Sequence, residues 1–233
     1  MSTGKAVGGL VAITLVLGGG LVAADRFAAS YAQDYARDAV NSQLKAKGET
    51  HVDVHGFPFL THAIGGTLDE VTVTVPAATV NDLPVSDVAV DARQVKVDAF
   101  STQRHPTAGD VVVQATIPVA SLQSAVKKQS NLDVSLSVEG SVLRATGTIL
   151  GLSLKAAVTP RVQTGKLLVG ISDVTLGDRA VSVDSFPALH DALSGITVPI
   201  QGLPAGMSLT GAQVVPTGVR VTASGTNVAL PVS

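Results

Sequence analysis

Residues 132–138 read LDVSLSV, so that Leu132, Val134, Leu136 and Val138 alternate with Asp133, Ser135 and Ser137. Successive side chains of a β-strand point to opposite faces, and this spacing lays the aliphatic groups on one face and the polar ones on the other. The segment is therefore a strand with one face buried and one face wet, as in antiparallel sheets. The same period of two recurs on both sides. Leu150, Leu152, Leu154, Ala156 and Val158 alternate around Ser153 and Lys155; Val71, Val73 and Val75 alternate with Thr72 and Thr74; Val219, Val221 and Ala223 alternate with Arg220 and Thr222. In residues 86–98 the phase slips, Val88, Val90 and Ala92 giving way to Val95 and Val97, which predicts a bulge or a strongly twisted strand. Asn81-Asp82, Gly109-Asp110 and Glu139-Gly140 read as turns between such runs.

Three stretches carry helical spacing instead. In residues 25–47, Phe27, Tyr31 and Tyr35 recur every four residues, Ala28, Ala39 and Leu44 continue an apolar face, and Gly48 offers a stop. A short helix is expected after Pro118, through Val119, Leu122, Ala125 and Val126 to Lys127-Lys128. Another is expected over residues 185–194, with Ser185 as N-cap and Phe186, Leu189 and Leu193 on one face. One leading helix followed by many strands with two helical interruptions is an α+β pattern, mostly antiparallel. No strand-helix-strand alternation supports a parallel sheet.

Ahead of this domain, Ala6 to Ala24 read AVGGLVAITLVLGGGLVAA, without a charge between Lys5 and Asp25. As a helix the segment would span about 28 Å, close to the hydrocarbon thickness of a bilayer. Two readings stay open. It is an uncleaved anchor, or it is a signal peptide cut after Val22-Ala23-Ala24. Either way, residues 1–24 form a membrane or signal segment, and residues 25–233 form one domain outside the cytoplasm. An anchored chain would sit at the outer face of the cytoplasmic membrane, and a cleaved one would be periplasmic or secreted.

Composition narrows the function. The net charge of -2 gives no basic surface for nucleic acid. With no cysteine there is no disulfide framework, thiolate metal site or cysteine nucleophile. Charged residues are 15% of the chain, so little of the surface is solvated by charge, and apolar surface is left for a ligand or a membrane. Motifs for catalysis are missing: Gly206-Met207-Ser208-Leu209-Thr210 fails the nucleophile-elbow pattern at its last position. Ser185, His190 and Asp191 carry triad letters, but a helix cap with solvated neighbours accounts for them. His51, Asp53 and His55 would share one face of a strand, with the two histidines roughly 13 Å apart, too far for one ion. Asp69 and Glu70 are adjacent and would point apart rather than converge on a substrate. Neither metal, cofactor nor enzyme activity is expected.

The aromatic residues are more telling. Phe27, Tyr31, Tyr35, Phe57 and Phe59 are five of only seven aromatics in the chain, gathered just after the apolar segment. They line an apolar site or meet a membrane interface, or else they glue the helix to the sheet. On side-chain physics alone the core reading takes precedence.

His55-Gly56-Phe57-Pro58-Phe59-Leu60, followed by Gly65-Gly66-Thr67-Leu68-Asp69-Glu70-Val71, resembles the LmeA-like family of actinobacterial phospholipid-binding cell-envelope proteins. The resemblance continues to Gly202-Leu203-Pro204-Ala205-Gly206 and to Val221-Thr222-Ala223-Ser224-Gly225. It implies a tubular lipid-binding-like fold, in which a long N-terminal helix packs on a highly curved, mostly antiparallel sheet enclosing an apolar tunnel. It also implies non-enzymatic binding, or transfer, of phospholipid. The candidate lipid contacts are Phe27, Tyr31, Tyr35, Phe57, Phe59, Leu60, Leu68, Val71 and Val73. Lys127 with Lys128, or Arg104 with His105, are the candidates for a headgroup. The partners expected are phospholipid and membrane. The alternative is a structural or adaptor envelope domain that binds a protein partner.

Overall fold

A computed structural model of the chain describes residues 24–38, 40–41, 45–80, 82–96, 107–130, 134–149, 152–177, 179–181, 197–198 and 203–229. The segment before residue 24 and the helix expected over residues 185–194 lie outside them. Among the described residues, no helix is long and apolar enough to cross a membrane.

Helix α1 covers residues 24–38, with residues 40 and 41 also helical. It is followed by β1 (His51–His55), α2 (Phe59–Ile64), β2 (Thr67–Val80), β3 (Leu83–Lys96), β4 (Thr107–Pro118) and α3 (Val119–Ser130). A second run comprises β5 (Val134–Glu139), β6 (Val142–Ile149), β7 (Leu152–Gln163), β8 (Lys166–Leu176), the two-residue β9 (Arg179–Ala180) and β10 (Thr197–Val198), and then β11 (Met207–Val215) and β12 (Gly218–Ala229). The strands make two open antiparallel sheets. The first runs β1-β2-β3-β4-β12-β11, and the second β10-β8-β7-β6-β5, with β9 beside β8. The single curved sheet expected is thus two. The chain leaves the first sheet after β4, builds the second as a meander, and returns to lay the β11–β12 hairpin against β4. Strands from both halves of the chain therefore build the first sheet, which stays open with β1 and β11 as its edges.

Alternation in the sequence becomes burial in the sheet. A row of directly paired residues crosses all six strands of the first sheet: Val52, Val73, Val90, Val113, Ala223 and Leu209. Directly paired residues share a face, so this row is an aliphatic belt across the inner side. The core lies on either side of it. Towards one end, Val75, Val88, Ile117 and Val219 pack with Leu143 and Leu167 of the second sheet and Leu122 of α3. Towards the other, Leu68, Val95, Ala108 and Val228 pack with Ala29 of α1 and Phe59. Val90 and Met207 pack against both clusters, so the aliphatic interior is continuous.

The phase slip between Ala92 and Val95 comes from Gln94, which takes φ 50 between these two buried residues; an earlier slip, between buried Val85 and Val88, comes from Asp87, which bulges between Ser86 and Ala89 with φ 50. A matching kink lies in β8, where Asp173 also has φ 50 beside a register shift in the β7 pairing. Ser86-Asp87-Val88 and Ser172-Asp173-Val174 share their letters, a 3.3 Å contact from Ser Oγ to Asp Oδ2, and a buried valine. Aspartate tolerates the left-handed conformation better than most residues, and such bulges sharpen the twist of a strand.

Two local expectations change as well. Gly109-Asp110 reads as a turn but lies inside β4. A Cβ on Gly109 would stand 3.1 Å from Gln94 Cβ and 3.5 Å from the Arg93 carbonyl, so the glycine makes room for the Gln94 kink. The leading helix is shorter than residues 25–47: Lys45 takes φ 46, and the Lys47 amide already donates to the Ala77 carbonyl at 2.8 Å. Glu139-Gly140 does turn, and α3 matches the helix expected after Pro118.

Gly109→Ala should lower stability by about 1–3 kcal/mol through overpacking against Gln94. Urea denaturation of the variant should show it as an earlier midpoint with an unchanged slope.

Candidate functional site

Helix α2 starts at Phe59 after Pro58, a residue that has no side-chain donor or acceptor to cap it. The cap comes from another helix. Asp25, near the start of α1, accepts a hydrogen bond from the Leu60 amide at 2.7 Å through Oδ1. A carboxylate at a helix N-terminus satisfies an orphan amide and opposes the positive end of the dipole. Asp25 is buried, and its Oδ2 has no hydrogen-bond partner among the described residues. This single contact fastens the first turn of α1 to the Phe57–Leu60 motif. Beside it the Arg26 guanidinium stands 5.3 Å from the centre of the Phe57 ring, within cation–π range.

The two motifs that carry the family resemblance interlock around α2. Gly56 has φ 121, and a Cβ there would meet Asp69 Oδ2 at 3.2 Å, so only glycine lets the chain pass the Asp69 carboxylate. That carboxylate also faces His62 Nδ1 of α2 at 3.5 Å. The neighbouring Glu70 accepts from Arg93 Nε at 3.3 Å, and Arg93 Nε stands equally close to Asp91 Oδ1. Asp69 and Glu70 point apart, as expected of neighbours on a strand, and each braces the fold.

The candidate lipid contacts separate into two groups. Phe59 and Leu68 are buried in the core, and half-buried Val71 packs beside them. Val73 is half-buried in the aliphatic belt and packs against the other cluster. Phe27, Tyr31, Tyr35, Phe57 and Leu60 are exposed instead, the first three by 78%, 76% and 70%. What glues α1 to the sheet is alanine: Ala29 is buried, and Ala28 and Ala32 pack against the Phe59–Leu68 cluster. The reading of the aromatics as glue is therefore overturned for α1, because the smallest side chains bring the helix backbone closest to the sheet.

Sequence reasoning missed three members of this region. Ile64, exposed by 71%, lies one turn after Leu60 on α2. Asp25 and Arg26 read only as the first charges after an apolar run, yet one caps α2 and the other covers Phe57. The signal for the cap was available: Pro58 begins a helix it cannot cap.

Elsewhere the polar residues stay apart. His51, Asp53 and His55 are exposed along edge strand β1, and His55 Nε2 lies 3.2 Å from Thr72 Oγ1. No group of three His, Cys, Asp or Glu placed to hold a metal occurs among the described residues. Lys127 and Lys128 are exposed near the end of α3, while Arg104, His105, Ser185, His190 and Asp191 lie outside the described residues.

An exposed apolar face above a continuous aliphatic interior is the build of proteins that take apolar ligands or surfaces. The chain belongs to the LmeA-like phospholipid-binding family, whose sequence model matches residues 23–224. No curated protein and no solved structure matches the chain.

Asp25→Ala should cost about 1 kcal/mol, as a lost N-cap does, and should speed hydrogen exchange at the Leu60 amide. Asp25→Asn, which keeps an acceptor oxygen, should restore most of both. Equal exchange in the two variants would remove the cap from the account.

Proposed function

We propose that this protein binds phospholipid in the cell envelope without catalysis, its acyl chains lying along the aliphatic interior beneath α1 and α2. The observation that carries the reading is the continuity of that interior in a member of a phospholipid-binding family: Val90 and Met207 join the two clusters, and the walls are mostly valine, alanine and leucine. Thin side chains would let the interior part around a methylene chain, and each buried methylene contributes about 0.8 kcal/mol. Lipid would enter at the α1–α2 end, where the exposed aromatics stand, and a carrier role between membrane and interior follows from that path.

The uncharged segment Ala6 to Ala24 would hold the domain at the outer face of the cytoplasmic membrane. N-terminal sequencing of the mature protein checks this: retention leaves a start well ahead of Asp25, and a start at Asp25 would mean a released carrier.

Protein purified from lipid-bearing cells should carry phospholipid detectable by native mass spectrometry. Val90→Phe, which puts bulk where the two clusters join, should reduce that lipid several-fold while the circular dichroism stays unchanged. Wild-type protein with no lipid above background, together with a single cross-linked envelope protein, would replace this reading with the adaptor role.

A further inference from the structure

Seven large apolar side chains are exposed among the described residues, and six of them belong to α1, α2 or the turn before α2. Phe27, Tyr31 and Tyr35 lie on α1, and Phe57, Leu60 and Ile64 on α2 and its approach; Val112 is the seventh. The Asp25–Leu60 contact holds the N-terminal ends of the two helices together, so the exposed groups of α2 and its approach adjoin the start of the aromatic stripe, which continues along α1. We propose that this face is a membrane-docking surface, seated in the interface of a phospholipid bilayer with α1 lying along it.

The shape of α1 argues for a bilayer rather than a groove or a second copy. Most of its residues fall into three stripes, with exposed Asp38 at the C-terminal end of the aromatic one and Asp34, paired with Arg37, at its edge. Asp25, Ala29 and Ala32 face the sheet; Phe27, Tyr31 and Tyr35 form a second stripe roughly a third of a turn away; Arg26, Ser30 and Arg37 lie on a third. The aromatic stripe runs about 12 Å along the axis, so all three rings reach one plane only if the helix lies flat. Tyrosine has an apolar ring and a polar hydroxyl, which suits it to the depth of lipid headgroups. Arg26, exposed above the Phe57 ring, adds a positive charge on the α2 side of this surface. The chain outside the described structure supplies the last argument: the residues leading into α1, from Ala6 onward, carry no charge. The sequence thus delivers the aromatic helix directly from an apolar stretch.

The docking surface deepens the phospholipid reading by fixing where the domain meets its lipid, and its test uses a separate readout. The chain has no cysteine, so a single one can be labelled. The full-length protein would be reconstituted into phosphatidylcholine–phosphatidylglycerol vesicles at fewer than one copy per vesicle. Environment-sensitive fluorophores would be placed on Tyr31→Cys, Ile64→Cys and, as a control on exposed β5, Ser137→Cys. Labels at 31 and 64 should shift to the blue and be quenched by headgroup-level nitroxide lipid about fivefold more than the label at 137, as expected for groups a few ångströms into the interface. Phe27→Ser with Tyr35→Ser should abolish the difference at 31, and unchanged circular dichroism would confirm the fold. Equal quenching at all positions overturns the proposal even where bound lipid is found by mass spectrometry. So does a blue shift that appears only at several copies per vesicle, which would make the occupant a second copy of the chain.

Discussion

The inner face of the first sheet has to be covered along strands of 14 residues, about 46 Å from end to end, and no single element does it. The second sheet and α3 cover one part through Leu143, Leu167 and Leu122. The remainder falls to α1 and α2. Sheet strands that expose apolar groups on both faces are rare outside membranes, so the arrangement of the two helices follows from this demand. Alanines let α1 lie close, Phe59 fills the space beneath α2, and the Asp25 carboxylate ties the helices at their starts. Loosening that tie would uncover Leu68, Val95 and Val111 together.

Strand positions were legible because alternation survives in most of them: Leu136 and Val138 in β5, Leu154 and Val158 in β7, and Val219 and Val221 in β12 lie where a period of two puts them. The partition into two sheets was not legible. Nothing local to β4 or β12 says that Val113 will pair with Ala223 more than a hundred residues later, since that register is set by tertiary packing. The kinks stand between these cases. The phase slip near Val95 was visible, but the Ser-Asp-Val bulges of β3 and β8 become a pattern only once their shared φ of 50 is seen.

The aromatic stripe of α1 was legible in the sequence, and the direction it faces was not. Phe27, Tyr31 and Tyr35 do share a helix stripe, and Phe57 to Leu60 does meet that helix. A period of 3.6 finds apolar stripes but does not rank them, and α1 has two. Size ranks them here. A helix settling on a sheet gains close contact from Ala28, Ala29 and Ala32, whereas three aromatic rings would hold its backbone away and leave the belt uncovered.

That ranking leaves the larger apolar stripe outside, and aromatic side chains of this kind each present 150–250 Å² to be buried. Left in water, the stripe would carry an unfavourable hydration cost that no ion pair nearby offsets, because exposed pairs such as Arg37–Asp34 contribute little. Scattered exposed leucines need no explanation, but six large apolar groups on two adjoining helices and the turn between them and the sheet, out of seven exposed among the described residues, are a concentration. The same packing demand that draws alanine inward thus builds an apolar face outward, immediately after an uncharged stretch of chain. The inward stripe accounts for the fold, and the outward one forms the surface proposed for membrane docking.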